Sequence, residues 1–222
     1  MIPDPGSLRS ALALVAAFVL GGVPSALWVG RLARGVDVRE HGSGNLGATN
    51  VYRTLGPALG WTVFALDALK GVGGVLLAKA IAGDAFPGGR VGAGLAGALA
   101  AVLGHVFTPF AGFKGGKGAA TAAGAMIAVA PVAGALCLAC FLVGVVLTHR
   151  ISVGTITAAL ALPLLLWAIP FAQAGHATAI VGSLVSLLIL VRHLPNIRRL
   201  LAGTEPAFEF RRRPGNRPGE QS

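Results

Sequence analysis

The sequence predicts an all-α polytopic membrane protein with about seven transmembrane helices, two of them short half-helices. Three observations carry that reading. Charged residues make up only 12% of the 222 residues against 55% hydrophobic ones, with a mean hydropathy of +0.76; soluble domains carry about 25% charged residues. Apolar runs of bilayer-spanning length recur from end to end. Finally, 14 of the 18 lysines and arginines fall in four places, Arg31–Arg53, Lys114–Lys117, Arg150 and Arg192–Arg217, the asymmetry expected of loops kept on the cytoplasmic side. That clustering accounts for the net charge of +10 without a nucleic-acid partner. The 33 glycines suit helices that approach closely in lipid.

The first apolar run, about Leu8–Val29, is long enough to span and lacks a small-x-small cleavage site, so it reads as a retained span rather than a signal peptide. Arg31, Arg34 and Arg39 follow it and place that end in the cytoplasm, with the N-terminus outside. The loop Gly42–Arg53 is then cytoplasmic. Pro57–Ile81 returns outward to a turn at Pro87-Gly88-Gly89, and Val91–Phe110 brings Lys114 and Lys117 back. Between Gly118 and Arg192 lie three apolar runs, Ala119–Leu147, Val153–Phe171 and Ala177–Val191. Three full spans would put the last cluster, with its seven arginines, outside. Two half-helices hinged near Pro131 restore the charge rule, since irregular backbone is tolerated at membrane depth where protein buries it. The alternative, six plain spans, leaves Arg150 on the wrong side. Residues 1–205 form one membrane domain, and the Arg/Pro/Gly-rich tail from Pro206 onward reads as disordered, with Arg211–Arg213 drawn to anionic head groups.

Polar, glycine-rich stretches punctuate the spans. Gly42-Ser43-Gly44-Asn45-Leu46-Gly47 matches GxGxxG, but no strand precedes it and no βαβ unit surrounds it, which removes the dinucleotide reading. What remains is a loop whose glycines let N–H groups converge on an anion, with Arg53 close behind; a plain interfacial turn is an equal reading. Phe113–Thr121 fails the P-loop pattern at Ala111 and Gly118. Lys114, Gly115, Gly116, Lys117 and Gly118, opening a helix, still make a phosphate cradle, and snorkelling lysines alone would not need the glycines. Ser152, in HRISVGT, is most simply an N-cap on the same face. Arg192, His193, Asn196, Arg198 and Arg199 crowd the end of the last span, where a continuing helix would put His193 and Asn196 on one face. Asp67 and Lys70, three apart within an apolar run, must pair or face the interior. Cys137 and Cys140 have no charged neighbour and read as small apolar-phase residues.

Absences narrow the chemistry. Eight acidic residues, none clustered, supply no carboxylate set for a metal, and no cofactor is required. No histidine has an aspartate five positions on, so the His-x4-Asp general-base motif of thioester-dependent glycerophosphate acyltransferases is missing. Positive charge, glycine and hydroxyl on one face are equipment for holding phosphates.

Taken together, GSGNLGATN followed by Arg53, FKGGKGAAT, and RHLPNIRRLLAGTE resemble the three signature motifs of the bacterial acyl-phosphate-dependent glycerol-3-phosphate acyltransferases. Asp67-x-x-Lys70-Gly71 and Gly104-His105 match as well, and the resemblance runs from about Gly22 to Glu205. It implies seven membrane helices and an active site at the cytoplasmic face of the bacterial inner membrane. It also implies transfer of a fatty acyl group from acyl phosphate to glycerol 3-phosphate, giving lysophosphatidate and phosphate. By position, Ser43 and Arg53 take the essential places of the first motif, flanked by Gly42, Gly44 and Asn45 on the substrate side. Gly115–Gly118 take the phosphate loop with Lys114 beside it, His193 and Asn196 the active-site pair of the third motif, and Glu205 a structural glutamate. On the residues alone, the competing class is a transporter of phosphate or an organic phosphate. That class commonly places its ligands near the midplane between internal repeats, and no repeat is visible here.

Overall fold

The computed structural model describes residues 5–168 and 175–208. Ten α-helices account for nearly all of it: α1 Pro5–Gly22, α2 Ser25–Arg34, α3 Ala48–Leu55, α4 Pro57–Ile81, α5 Gly89–Val106, α6 Ala119–Val129, α7 Pro131–Thr148, α8 Ile151–Ala168, α9 Gly175–Arg192 and α10 Leu194–Leu201. Among the described residues, six stretches are long and apolar enough to cross a membrane: α1 with α2, then α4, α5 with the turn after it, α7, α8 and α9. α6 is the short one, at 11 residues spanning ~16 Å of a hydrocarbon core of ~30 Å.

Three expectations change. The run Leu8–Val29 is not one helix. Pro24 cannot donate, and the residue before a proline is pushed out of the helical region, so the chain breaks at Val23-Pro24. The carbonyls freed there are claimed by side chains: Val23 O accepts from Lys70 Nζ at 2.8 Å, and Gly22 O accepts from the Thr108 hydroxyl. The run Ala119–Leu147 does hinge at Pro131, but only its first part is short; α7 has 18 residues, a full span length. The third run is helical only to Val106, and Pro109–Ala111 form a separate 3₁₀ turn.

α1 packs on α4 and α5, α4 on α6, α7 on α8, and α8 on α9. The closest approaches are built on glycine. A Cβ on Gly104 of α5 would stand 2.0 Å from the Phe18 carbonyl oxygen of α1. Reciprocally, a Cβ on Gly71 of α4 would meet Thr121 O of α6 at 2.0 Å, and one on Gly124 of α6 would meet Ala68 O of α4 at 2.0 Å. Such contacts bring backbones together where lipid offers no hydrophobic drive. They also set the start of α6, and with it the loop before it, against α4 and α5.

Candidate active site

The polar stretches meet at one end of the bundle. After α2, Asp37 accepts from Arg31 Nη2 at 2.8 Å and from Arg39 Nη2 at 2.6 Å. Its carboxyl is held well below the usual range, chiefly by Arg39. The loop 41–47 then leads into α3, so Arg53 sits on a helix and not in a loop as its glycine-rich surroundings suggest. Asn50, on α3 and 2% exposed, organises the loop. Its Nδ2 donates to Val38 O at 2.9 Å and His41 O at 3.1 Å. Its Oδ1 accepts from Ser43 N at 2.9 Å and Ser43 Oγ at 3.2 Å. Gly42 has φ 61°, and a Cβ there would lie 2.5 Å from Asn50 Oδ1, so both backbone and space require glycine. Ser43 itself is exposed, with Gly44 and Asn45 half-buried beside it.

The second loop is held from two sides. Gly115 N donates to Val106 O at 3.0 Å and Gly116 N to His105 O at 3.2 Å, at the end of α5. Arg192 Nη2, from the end of α9, donates to Gly115 O at 3.4 Å and Gly116 O at 3.2 Å. A Cβ on Gly115 would stand 1.9 Å from His105 O, and one on Gly116 would stand 2.2 Å from His105 Nε2 and 2.7 Å from Leu46 O. The amides of Gly115 and Gly116 are thus spent on α5. These glycines allow close packing that sets Lys117, and the expected cradle does not include their N–H groups. The contact with Leu46 O joins the first and second loops. Gly118, at φ 83°, caps α6. Beneath lies a buried polar cluster: Lys70 Nζ to Asp67 Oδ1 at 2.9 Å, His105 Nδ1 to Asp67 Oδ1 at 3.7 Å, and Thr121 Oγ1 to His105 Nδ1 at 3.1 Å.

The third stretch does not continue α9. The helix stops at Arg192, His193 sits in the turn, and α10 starts at Leu194 with Pro195 in its first turn, where its missing N–H does no harm. His193 is 4% exposed, and its Nδ1 bonds the Ile189 carbonyl at 2.8 Å. That partner is an acceptor, so Nδ1 carries the proton and Nε2 is left as an acceptor. Burial and the Lys117 charge push the His193 pKa down to about 4. Asn196 links the motifs: its Oδ1 accepts from Lys117 Nζ, and its Nδ2 donates to Glu205 Oε1 at 2.8 Å. Glu205 Oε2 accepts from Arg199 Nε at 2.7 Å, and Glu205 O accepts from Arg150 Nε at 3.2 Å.

Burial raises the Glu205 pKa, but Asn196, Ser152 and Arg199 outweigh it and hold the carboxyl below its ordinary value. Ser152 is the second residue of α8 rather than its cap, and its buried hydroxyl faces Glu205 without a hydrogen bond of ordinary geometry. Burial lowers the Lys117 pKa to about 8, opposed by Glu205 and reinforced by Arg199, Arg53 and Arg192. Burial also lowers Arg53, against Glu205. Arg53 Nη2 donates to Pro206 O at 3.3 Å. Lys114 is exposed on the rim, outside this network.

The chain stays ordered past Glu205, where a disordered tail is expected. Phe208 is 6% exposed, packs its ring at a tilt against Tyr52 with centroids 4.6 Å apart and donates its N–H to His149 O at 2.6 Å. The rest of the expected tail, residues 209–222, lies outside the described residues.

Beside this network an apolar groove opens in the bundle, lined by residues of α6, α7, α8 and α9 and by Phe64. Its wall starts at Ala119, next to Gly118, and at Ile189, whose carbonyl holds His193, and reaches Met126 and Leu162. On α6 four of the five lining residues, Ala119, Ala120, Ala122 and Ala123, are alanine, with Met126 the fifth.

Asn50 and Phe208 are missed by motif reading, and Arg192 and Arg150, singled out as cations, turn out to bond backbone carbonyls of the site. Asn50 lies within GSGNLGATN, but nothing in the sequence shows that it faces Ser43.

The glycerol-3-phosphate acyltransferase family model matches residues 11–203. The glycerol-3-phosphate acyltransferase of Geobacter sulfurreducens is 43% identical over 205 residues, covering 91% of this chain and 99% of its own. That of Bacillus subtilis is 39% identical over 202 residues, with 90% and 98% covered. Among solved structures, the glycerol 3-phosphate form of PlsY (YgiH), an integral membrane glycerol 3-phosphate acyltransferase, superposes with a TM-score of 0.79 at 35% identity, covering 90% of this chain and 96% of that one. Its lysophosphatidic acid form gives 0.77. With the match running through all three polar stretches and the bundle between them, this chain belongs to the glycerol-3-phosphate acyltransferase family.

Proposed function

We propose that the protein acylates glycerol 3-phosphate with acyl phosphate as the donor, forming lysophosphatidate and inorganic phosphate, at the cytoplasmic face of the bacterial inner membrane. The observation that carries this is a junction. Lys117, which donates to Asn196, lies two residues before Ala119, and His193 bonds the carbonyl of Ile189; Ala119 and Ile189 both line the apolar groove. Each substrate has a phosphate for the network, and the donor has a chain for the groove. The solved forms of PlsY with glycerol 3-phosphate and with lysophosphatidic acid agree with one substrate and the product. The clustering of arginine and lysine around this end supports its cytoplasmic placement, with the N-terminus outside.

In the reaction the glycerol hydroxyl oxygen attacks the acyl carbonyl carbon. The bond from that carbon to the phosphate oxygen breaks, and phosphate leaves with the electron pair. Lys117 and Arg53 stabilise the growing negative charge, and the bonded loops hold both reactants in line. The attacking hydroxyl must lose a proton. His193, with a pKa near 4, is a weak base at neutral pH, whereas a phosphate titrates near pH 6 and is matched to the task. The departing phosphate therefore takes that proton, and His193 Nε2 orients glycerol 3-phosphate by accepting a hydrogen bond from its other, non-attacking hydroxyl. Ser43 serves as a ligand and not as a covalent nucleophile, since its hydroxyl donates to Asn50 Oδ1, an amide oxygen that cannot take its proton.

The test is purified protein in lipid vesicles with acyl phosphate and labelled glycerol 3-phosphate. Lysophosphatidate and one phosphate per turnover are expected. Absence of product, or product from acyl-thioester but not from acyl phosphate, would sink the reading. An acyl-enzyme trapped without glycerol 3-phosphate would overturn the direct attack.

A further inference from the structure

We infer that Phe208, beyond residues 11–203 matched by the family, is a positioning residue for Arg53. The inference rests on the acyl-transfer reading above. Between Glu205 and Phe208 the chain crosses the site as a short strap. One end is fixed by Glu205, whose carboxylate accepts from Asn196 and Arg199 and whose carbonyl accepts from Arg150. The other end is fixed by Phe208 through its ring on Tyr52 and its N–H on His149 O. Between the anchors, Pro206 O accepts from Arg53 Nη2 at 3.3 Å. Proline brings no N–H of its own and a locked φ, so the direction of its carbonyl follows from the two anchors.

Tyr52 and Arg53 are neighbours on α3. The ring pair and the carbonyl bond therefore grip the same turn of one short helix, and with it a guanidinium whose planar fork recognises phosphate by direction as much as by charge. Without the Phe208 ring that end loses its grip on Tyr52 and keeps its backbone bond to His149 O, so the strap is no longer tied to α3 through the ring and its carbonyl holds the fork less firmly before substrate arrives. The cost then appears on binding, as the ordering of a long side chain.

Phe208→Ala and Arg53→Lys are compared with wild type for the KM of each substrate separately, together with kcat and thermal stability. Arg53→Lys keeps the charge and loses the fork, so it identifies the substrate whose phosphate Arg53 holds. Phe208→Ala is expected to raise the KM of that same substrate about three- to tenfold, the scale of ordering one side chain on binding. The other KM and kcat stay within about twofold, and Phe208→Leu, which refills the slot, restores most of the loss. Unchanged KM values in Phe208→Ala overturn the inference. So does a rise in both KM values in step with lost thermal stability, which marks general loosening. If wild-type protein makes no lysophosphatidate, the acyl-transfer reading fails instead, and the two failures are distinguishable in one assay.

Discussion

Ser43 and Lys117 are both candidate phosphate ligands, and they are held in opposite ways. Ser43 is exposed and hangs from one acceptor, Asn50 Oδ1, which takes both its amide and its hydroxyl. Lys117 is half-buried behind a loop clamped from α5 and α9, and it donates into a chain of bonds running through Asn196 to Glu205 and Arg199. The first arrangement is cheap and leaves the serine facing the water from which glycerol 3-phosphate arrives. The second takes a cation out of water, a cost visible in its lowered pKa, and recovers it when a phosphate supplies the missing counter-charge. A site joining a soluble substrate to a lipid one has use for both kinds of ligand.

The comparison is broken most severely by Lys117→Met, which keeps the aliphatic stem and removes the charge. kcat/KM is expected to fall by about 100- to 1000-fold, the scale for deleting one donor to developing negative charge, with stability unchanged or raised because a buried cation is gone. A loss below about tenfold in steady-state kinetics would show that Lys117 is peripheral. Asn50→Ala comes next. It leaves the Val38 and His41 carbonyls without their donor, costing about 1–3 kcal/mol of stability, and frees Ser43 to rotate. Its effect on kcat/KM should be about tenfold and should not add to that of Ser43→Ala, since the two act as one unit. Additivity in the double-mutant cycle would mean that Asn50 holds the fold and not the serine.

What the sequence made legible follows the range of the interactions involved. Pro57–Ile81 is read to the residue because its signals are local: Gly56 ends the previous helix, Pro57 opens the next, and apolar residues fill the run. The hinge at Pro131 is legible for the same reason. The break at Val23-Pro24 is not, because apolar residues flank it on both sides and its stabilising partners, Lys70 and Thr108, lie 47 and 86 residues away. In the site, residue types and motif order point to phosphate, whereas the division of labour is hidden. Gly115 and Gly116 look like amide donors, and only the approach of His105 and Leu46 shows them to be packing positions. Phe208 looks like the start of a tail until Tyr52 is found against it.

The smallest expected effect is also the sharpest test of the buried half. Lys117 has a folded pKa of about 8, below its ordinary 10.5. Between those values the folded protein holds fewer protons than the unfolded chain, so the penalty for a charged Lys117 is full below about pH 8 and is relieved as pH rises through the window. Substrate binding runs the other way, because phosphate needs the charged amine. kcat/KM should therefore decline above about pH 8, by at most tenfold per pH unit. His193, already neutral with a pKa of about 4, should add no limb between about pH 5 and 9. Lys117→Arg stays charged throughout and should abolish the alkaline decline while lowering the plateau, because a planar fork replaces a compact ammonium. If wild type and Lys117→Arg decline together above pH 8, the limb belongs to another group, and the buried amine is not the cation that the phosphate meets.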